Sequence, residues 1–433
     1  MTITTTRNPF LDEECKQFTH ASGLSVYLIP KDFSVAYAIL GVRYGSLDNR
    51  FQYSGKEFAP PMGIAHFLEH KMFENPDGED TFLKFSRTGA DANAYTTFHR
   101  TAYLFSCSEK FEESLDILLT SCMTPYFTKE NVEKEIGIIA EEIRMYEDDP
   151  YDRLYFSLMR AMYSETDLGV SICGTGESIQ KITPELLYAC YQGFYHPENM
   201  ALCLCGNIQL ENVLPILDRV FGTEKRFIVP ARPLHTPEPC GVLKNEIRLT
   251  ADVALPLFAV GYKDTNIDAD PMVRLRKYAT MSILFEALFG GSTDFAYRLY
   301  SNGLITAALD FEFDHNQRYS YLLLQGESPE PENVKNALLS YLESVQQDGI
   351  DPCRLEGAKK IVYSQFLSTF DRTESISNEI LTYVFEEQDM LSYGDLVLSI
   401  TNEECTNLFS DFFKPQNMTF ASLYPEHESE ENT

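Results

Sequence analysis

The feature that most restricts what this chain can fold into is a repeat of its own pattern at a fixed distance. Ile182-Thr-Pro-Glu185, followed by Phe194, Pro197, Asn199 and Met200, returns as Ile400-Thr-Asn-Glu403, followed by Phe412, Pro415, Asn417 and Met418, at a constant offset of 218 residues. Seven of nineteen ungapped positions are identical, where unrelated segments would share about one or two. Both copies read as a helix running into a strand, Ala201 to Cys205 and Thr419 to Leu423. A length of 433 residues with 44% apolar content is enough for roughly two to three domains with cores of their own. We therefore expect a duplicated domain. Pro230, Pro233, Pro237 and Pro239 crowd a stretch too rich in proline for a helix interior or a central strand, and mark the linker. The expected organisation is an N-terminal domain over 1–226, a linker over 227–243, a C-terminal domain over 244–425 and an acidic, frayed tail over 426–433.

Within each half, strands and helices do not alternate strictly, which favours an α+β architecture over a doubly wound parallel sheet. Leu24 to Ile29 and Val35 to Val42 read as strands, and Phe111 to Met123 and Val132 to Tyr146 as helices. A formal charge of −30 opposes any sequence-independent grip on phosphate backbones or anionic lipid, so nucleic acid and membrane are excluded as expected partners. The first residues lack the apolar core of a secretory signal, and the longest apolar runs are under half of a membrane span. Ten scattered cysteines without C-x-x-C spacing suit reduced thiols, so the expected compartment is the cytoplasm.

The chemistry concentrates at His66-Phe-Leu-Glu69-His70, entered through Pro60-Pro61. On a helix, histidines four apart share one face and can reach one cation, while Glu69 projects to the side and can face a water without being a ligand. This is the inverted order of the H-E-x-x-H zinc motif, in which the glutamate takes a proton from water. Two histidines leave a zinc site one protein ligand short. Downstream, Val132, Ile136, Ile139 and Ile143 form the apolar stripe of a helix, and Glu135 and Glu142 lie seven apart along its edge, whereas Glu133 and Glu141 face elsewhere. Such carboxylates want a partner, and a metal with its histidines is one. The same spacing also suits acids that are simply solvated, and tertiary placement decides.

Together with Asn93-Ala-Tyr-Thr96 between the two segments, these residues resemble the M16 (insulinase/pitrilysin) zinc peptidases, in particular the short bacterial M16B type that works as two-chain assemblies. Within that type it resembles the branch named for its association with the 5-aminopentanol modification of elongation factor P. The resemblance runs through Tyr44-Gly-Ser46, Arg144-Met-Tyr-Glu-Asp-Asp-Pro150, Cys173-Gly-Thr-Gly-Glu-Ser-Ile179 and the repeated Phe-x-x-Pro-x-Asn-Met. It implies an α+β fold of two homologous domains, each a largely antiparallel sheet against helices. It implies that His66, His70 and Glu142 bind one Zn2+ per chain, that Glu69 is the general base, and that Glu135 supports the ligands from behind. It also implies that Asn93, Ala94 and Tyr95 belong to an edge strand that holds an extended peptide by strand addition.

One departure bears on partners. Self-sufficient members carry an arginine and a tyrosine seven apart in the second half, where this chain has Arg298 and Ile305, and its second half lacks H-x-x-E-H, the counterpart helix reading Ile283 to Phe289. The resemblance therefore implies a zinc metalloendopeptidase subunit acting on extended peptides as a heterodimer with a paralogue that supplies the Arg/Tyr clamp. A homodimer is the runner-up. The alternative function is a non-catalytic assembly or modification-associated protein acting on a translation factor.

Overall fold

The computed structural model describes residues 2–8, 11–225 and 228–426, so the tail expected over 426–433 lies, apart from Glu426, outside the described residues. The chain divides into two compact units. Unit 1 comprises Met1–Arg144, Ser171–His235 and Ser368–Leu391, and unit 2 comprises Met145–Val170, Thr236–Leu367 and Ser392–Thr433.

The sheet of unit 1 is made of β1 (Thr4–Asn8), β2 (Glu13–Thr19), β3 (Ser25–Pro30), β4 (Ala36–Val42), β7 (Asp91–Thr96), β8 (Thr101–Cys107) and β9 (Met200–Gly206), in the order β1-β2-β3-β9-β4-β8-β7. A small sheet beside it joins β5 (Phe51–Tyr53), β6 (Lys56–Phe58) and β10 (Arg232–Pro233). The sheet of unit 2 takes β11 (Glu246–Ala251), β12 (Leu257–Lys263), β13 (Asp310–His315), β14 (Ser320–Glu327) and β15 (Met418–Pro425), in the order β11-β15-β12-β14-β13. β3 with β9, and β11 with β15, are parallel pairs, and the remaining ladders are antiparallel. Five strands thus recur in the same order with the same single parallel pair, which is the duplication read from sequence, and the α+β expectation is met.

The repeated segment shows why those residues recur. Thr183 and Thr401 cap the N-termini of helices Pro184–Phe194 and Asn402–Phe412, each hydroxyl accepting from a first-turn backbone N–H. A short turn, Pro197–Asn199 or Pro415–Asn417, then delivers the chain into the central strand β9 or β15. The strands read as the helices do: β3, β4 and helices Phe111–Cys122 and Lys129–Asp148 lie where the periodicity puts them, to within a few residues at each end.

Both faces of each central strand are buried, which explains their unbroken apolar sequences. In β4, Ala38, Leu40 and Val42 join a core with Ile64, Phe67, Leu68, Leu115 and Leu118, while Gly41 points to the other face. There the helix Thr373–Phe385 lies so close that a Cβ on Gly41 would come within 2.6 Å of Leu381 Cδ1 and 2.9 Å of Phe385 Cζ. Unit 2 repeats the device, since a Cβ on Gly261 of β12 would come within 2.3 Å of Met162 Sδ and 3.1 Å of Leu158 Cδ2, both on helix Pro150–Met162. Gly41 pairs with Ala201 and Gly261 with Thr419, so the two glycines hold equivalent positions. In each unit the covering helix comes from the other sequence half. No described helix is long and apolar enough to cross a membrane.

Adding bulk under either helix overpacks a dry interface, which typically costs about 1–3 kcal/mol. Gly41→Val and Gly261→Val are each expected to lower the urea midpoint by that equivalent, against an unchanged midpoint for Gly291→Ala, where a Cβ would meet nothing and the backbone is not left-handed.

Candidate metal centre

The motif helix Ile64–Lys71 starts from Gly63 at φ 89°, a left-handed conformation suited to glycine. The start is crowded as well, since a Cβ on Gly63 would sit 2.3 Å from the Cys173 carbonyl oxygen, and Ser178 Oγ donates to the Met62 carbonyl at 2.7 Å. Phe67 and Leu68 are fully buried and anchor one side of the helix. The other side presents His66 and His70, whose ring centroids are 4.6 Å apart.

The helix Lys129–Asp148 supplies the acids. Val132, Ile139 and Ile143 bury its apolar stripe, with Glu135 also buried and Glu142 half-buried at the edge. Glu142 Oε1 lies 3.5 Å from His66 Nε2, and Oε2 lies 3.6 Å from His70 Nε2. Glu133 and Glu141 are exposed and pair with Lys129 and Arg144. Of the acids on this helix, the structure thus brings Glu135 and Glu142 to the histidines.

One ligand atom from each of His66, His70 and Glu142 lies within 4.8 Å of the others. Zinc bonds of about 2.0–2.2 Å at tetrahedral angles put neighbouring donor atoms about 3.3–3.6 Å apart, so the two carboxylate–imidazole distances already suit a shared cation. The donor set of two nitrogens and an oxygen is of the kind found in zinc hydrolases. Burial, helped by the neighbouring His70, lowers His66 to about 3; its ring is neutral and its lone pair is available. His66 Nδ1 is buried without a hydrogen-bond partner.

His70 is held from behind. Glu135 Oε1 lies 3.1 Å from His70 Nδ1, which orients the ring with Nε2 toward Glu142. Burial disfavours the charged ring, but Glu135, Glu69 and Glu142 together raise its pKa. Lys71, with no exposed side-chain surface, donates to Glu135 Oε2 at 3.3 Å and to the Asn131 carbonyl at 3.2 Å, and pairs with Glu74 at 2.6 Å. Against the opposing effect of burial, His70 and Lys71 hold Glu135 below the usual carboxylate range.

Glu69 is buried beside the centre, and burial raises it to about 7 despite a 2.6 Å hydrogen bond donated by Thr96 Oγ1 to its Oε2. Thr96 belongs to β7, the strand at the edge of the sheet. Thr97 N–H donates to the Arg100 carbonyl at 2.7 Å, which fixes the alternation, so the outward backbone groups are those of Ala92, Ala94 and Thr96. Asn93 Oδ1 accepts from Ala94 N–H at 2.8 Å. Asn93 and Ala94 border a cavity of about 720 Å³ that Glu69, His70, Phe73 and Phe82 also line. Tyr95 points to the opposite face, where its hydroxyl donates to Asn378 at 3.1 Å. Three neighbours escaped the sequence reading: Thr96 as a partner of Glu69, the buried cation Lys71, and Cys173, whose Sγ is 3.9 Å from His66 Nε2.

Unit 2 has no such cluster among the described residues. By sheet register, Phe311 and Phe313 of β13 take the places of Ala94 and Thr96. They are covered by Phe285 and Tyr278 of helix Pro271–Phe289, with ring centroids 3.4 and 6.1 Å apart. Rings fill the equivalent space. Ile305, where the resemblance calls for a tyrosine, is buried.

Residues 54–176 match the family described as Insulinase (Peptidase family M16), and residues 181–362 match the Peptidase M16 inactive domain. A Bacillus subtilis (strain 168) protein named uncharacterized zinc protease YmfH is 36% identical over 413 residues, covering 94% of this chain and 95% of that one. The chain belongs to the M16 peptidase family. The crystal structure of an M16-like peptidase from Alicyclobacillus acidocaldarius superposes with a TM-score of 0.92 at 32% identity, over 98% of this chain and 100% of that one. A protease from Helicobacter pylori, at 20% identity, shares the fold with a TM-score of 0.81 over 95% of this chain and 99% of that one. The match to an inactive domain, over residues 181–362, takes in β13, the edge strand covered by aromatic rings.

Removing an outer partner of a metal-binding histidine typically weakens metal affinity about 10- to 100-fold. Glu135→Gln is expected to raise the zinc dissociation constant by that factor in a chelator competition, and Glu142→Ala to leave the purified chain without stoichiometric zinc by elemental analysis.

Proposed function

We propose that this chain is the catalytic subunit of a zinc-dependent metalloendopeptidase that hydrolyses extended peptides or flexible segments. The observation that carries the reading is the convergence of His66, His70 and Glu142 within one cation's reach, with the buried carboxylate of Glu69 alongside. The zinc protease names of M16 relatives support it.

In this reading His66 Nε2, His70 Nε2 and a Glu142 oxygen hold one Zn2+. When bound there, zinc polarises a peptide carbonyl and makes water acidic enough to lose a proton near neutral pH. Glu69 takes that proton as the water attacks and returns it to the departing amine nitrogen. Glu135 fixes the tautomer and orientation of His70, with Lys71 fixing Glu135 in turn. The exposed backbone of β7 aligns an extended substrate by adding it as a strand, with Asn93 and Ala94 bordering the adjoining cavity. That mode selects for segments able to unfold.

The second half carries Arg298 without a tyrosine at position 305. We therefore assign the active form to a heterodimer with an M16 paralogue that contributes the missing clamp. The free thiols among the described residues, eight of the ten buried, fit a reducing cytoplasm.

General base catalysis contributes about 10²–10⁴-fold. Glu69→Gln, assayed on a mixed peptide library with and without the paralogue, is expected to lose that factor in turnover while keeping about one zinc per chain. Full turnover by the zinc-loaded variant would remove Glu69 from the mechanism, and unchanged cellular function in a turnover-dead variant would favour an assembly role.

A further inference from the structure

The edge strand β7 and its neighbour β8 carry a cross-strand pair of hydroxyls, Thr96 and Thr101, whose hydrogens can be counted. Thr101, fully buried, donates its one hydroxyl hydrogen to the Tyr44 carbonyl at 2.9 Å. Across the 3.2 Å contact between Thr101 Oγ1 and Thr96 Oγ1, Thr101 can therefore only accept. Thr96 in turn has one hydrogen and two acceptors within reach, Thr101 at 3.2 Å and Glu69 Oε2 at 2.6 Å. The shorter contact, to the carboxyl oxygen, is the stronger. Thr96 thus donates to Glu69, with its own oxygen backed by a neighbour anchored to the main chain.

We propose that Thr96 is a positioning residue for the general base. Its hydrogen occupies Glu69 Oε2 and leaves Oε1 as the oxygen that exchanges protons. The proposal rests on Glu69 acting as the base. In the first step a water O–H bond breaks as its oxygen bonds the peptide carbon, the carbonyl π pair moves onto the carbonyl oxygen, and the proton goes to Oε1. In the second step the Oε1–H bond breaks and the proton passes to the amide nitrogen, while the oxyanion pair re-forms C=O and the C–N bond breaks with its pair leaving on the amine. Thr96 remains a donor to Oε2 through both steps, so the proton is never stored on the side facing the sheet. The arrangement also fixes the carboxylate rotation, because Thr96 and Thr101 are paired positions on β7 and β8.

Hydrogen-bond donation and shape are separated by Thr96→Val, which keeps the volume and removes the donor, and Thr96→Ser, which keeps the donor. The full-length chain with its paralogue is assayed on quenched peptides, with zinc content measured on each variant. Thr96→Val is expected to lower kcat about 10- to 100-fold with KM and zinc content unchanged, and Thr96→Ser to recover most of the loss. Equal losses in both variants, or none in Thr96→Val, overturn the proposal. Glu69→Gln run in parallel separates the two claims: if it turns over peptide normally, the peptidase reading has failed. A crystal structure of zinc-loaded Thr96→Val judges the positioning claim without activity, since a Glu69 carboxylate unmoved from its wild-type orientation contradicts it.

Discussion

A buried carboxylate shared between two neighbours on one helix holds the centre together. Glu135 reaches from helix Lys129–Asp148 to His70 Nδ1 with one oxygen and to the Lys71 ammonium with the other. A carboxylate so placed would be costly to bury without partners, and each of these partners is itself fixed, Lys71 by Glu74 and the Asn131 carbonyl, His70 by the helix turn it shares with His66. Because Glu142 is two turns along the same helix, the contact that orients His70 also sets the distance of the third donor. The spacing of these candidate donors is a property of two helices locked together.

The duplicated scaffold explains why one unit carries this cluster of candidate metal donors and the other, among its described residues, does not. Both sheets share a strand order and a parallel pair, and in both a bare glycine on the second central strand accepts a helix pressed against it. The difference lies at the edge strand. Unit 1 places small and hydroxylic side chains, Ala94 and Thr96, beneath its motif helix, leaving room for Glu69, whereas unit 2 fills the same positions with Phe311 and Phe313. The second copy has apolar ring packing where the first has a polar cleft.

What the sequence reveals and what it hides divides along local against long-range physics. The shared face of His66 and His70 follows from helix periodicity alone, as do the opposite destinations of Glu141 and Glu142. The strands β3 and β4 and the helices that follow are legible because alternation and amphipathicity are local. The helix exchange is not: nothing in Pro150–Met162 or Thr373–Phe385 says which sheet each will cover, since either apolar face would suit either sheet. Thr96 and Lys71 stay hidden for a related reason. A threonine in a strand and a lysine after a histidine look like ordinary surface residues until folding brings Glu69 and Glu135 against them. Resemblance to M16 enzymes raised Glu142 above the solvated acids, where spacing alone left it open.

The most direct measurement is anomalous diffraction at the zinc absorption edge from crystals of the zinc-loaded chain. A single strong peak is expected about 2.0–2.2 Å from His66 Nε2, His70 Nε2 and a Glu142 oxygen, with Glu69 outside bonding distance. A peak elsewhere, or none after loading, would contradict the convergence of these three side chains on one cation.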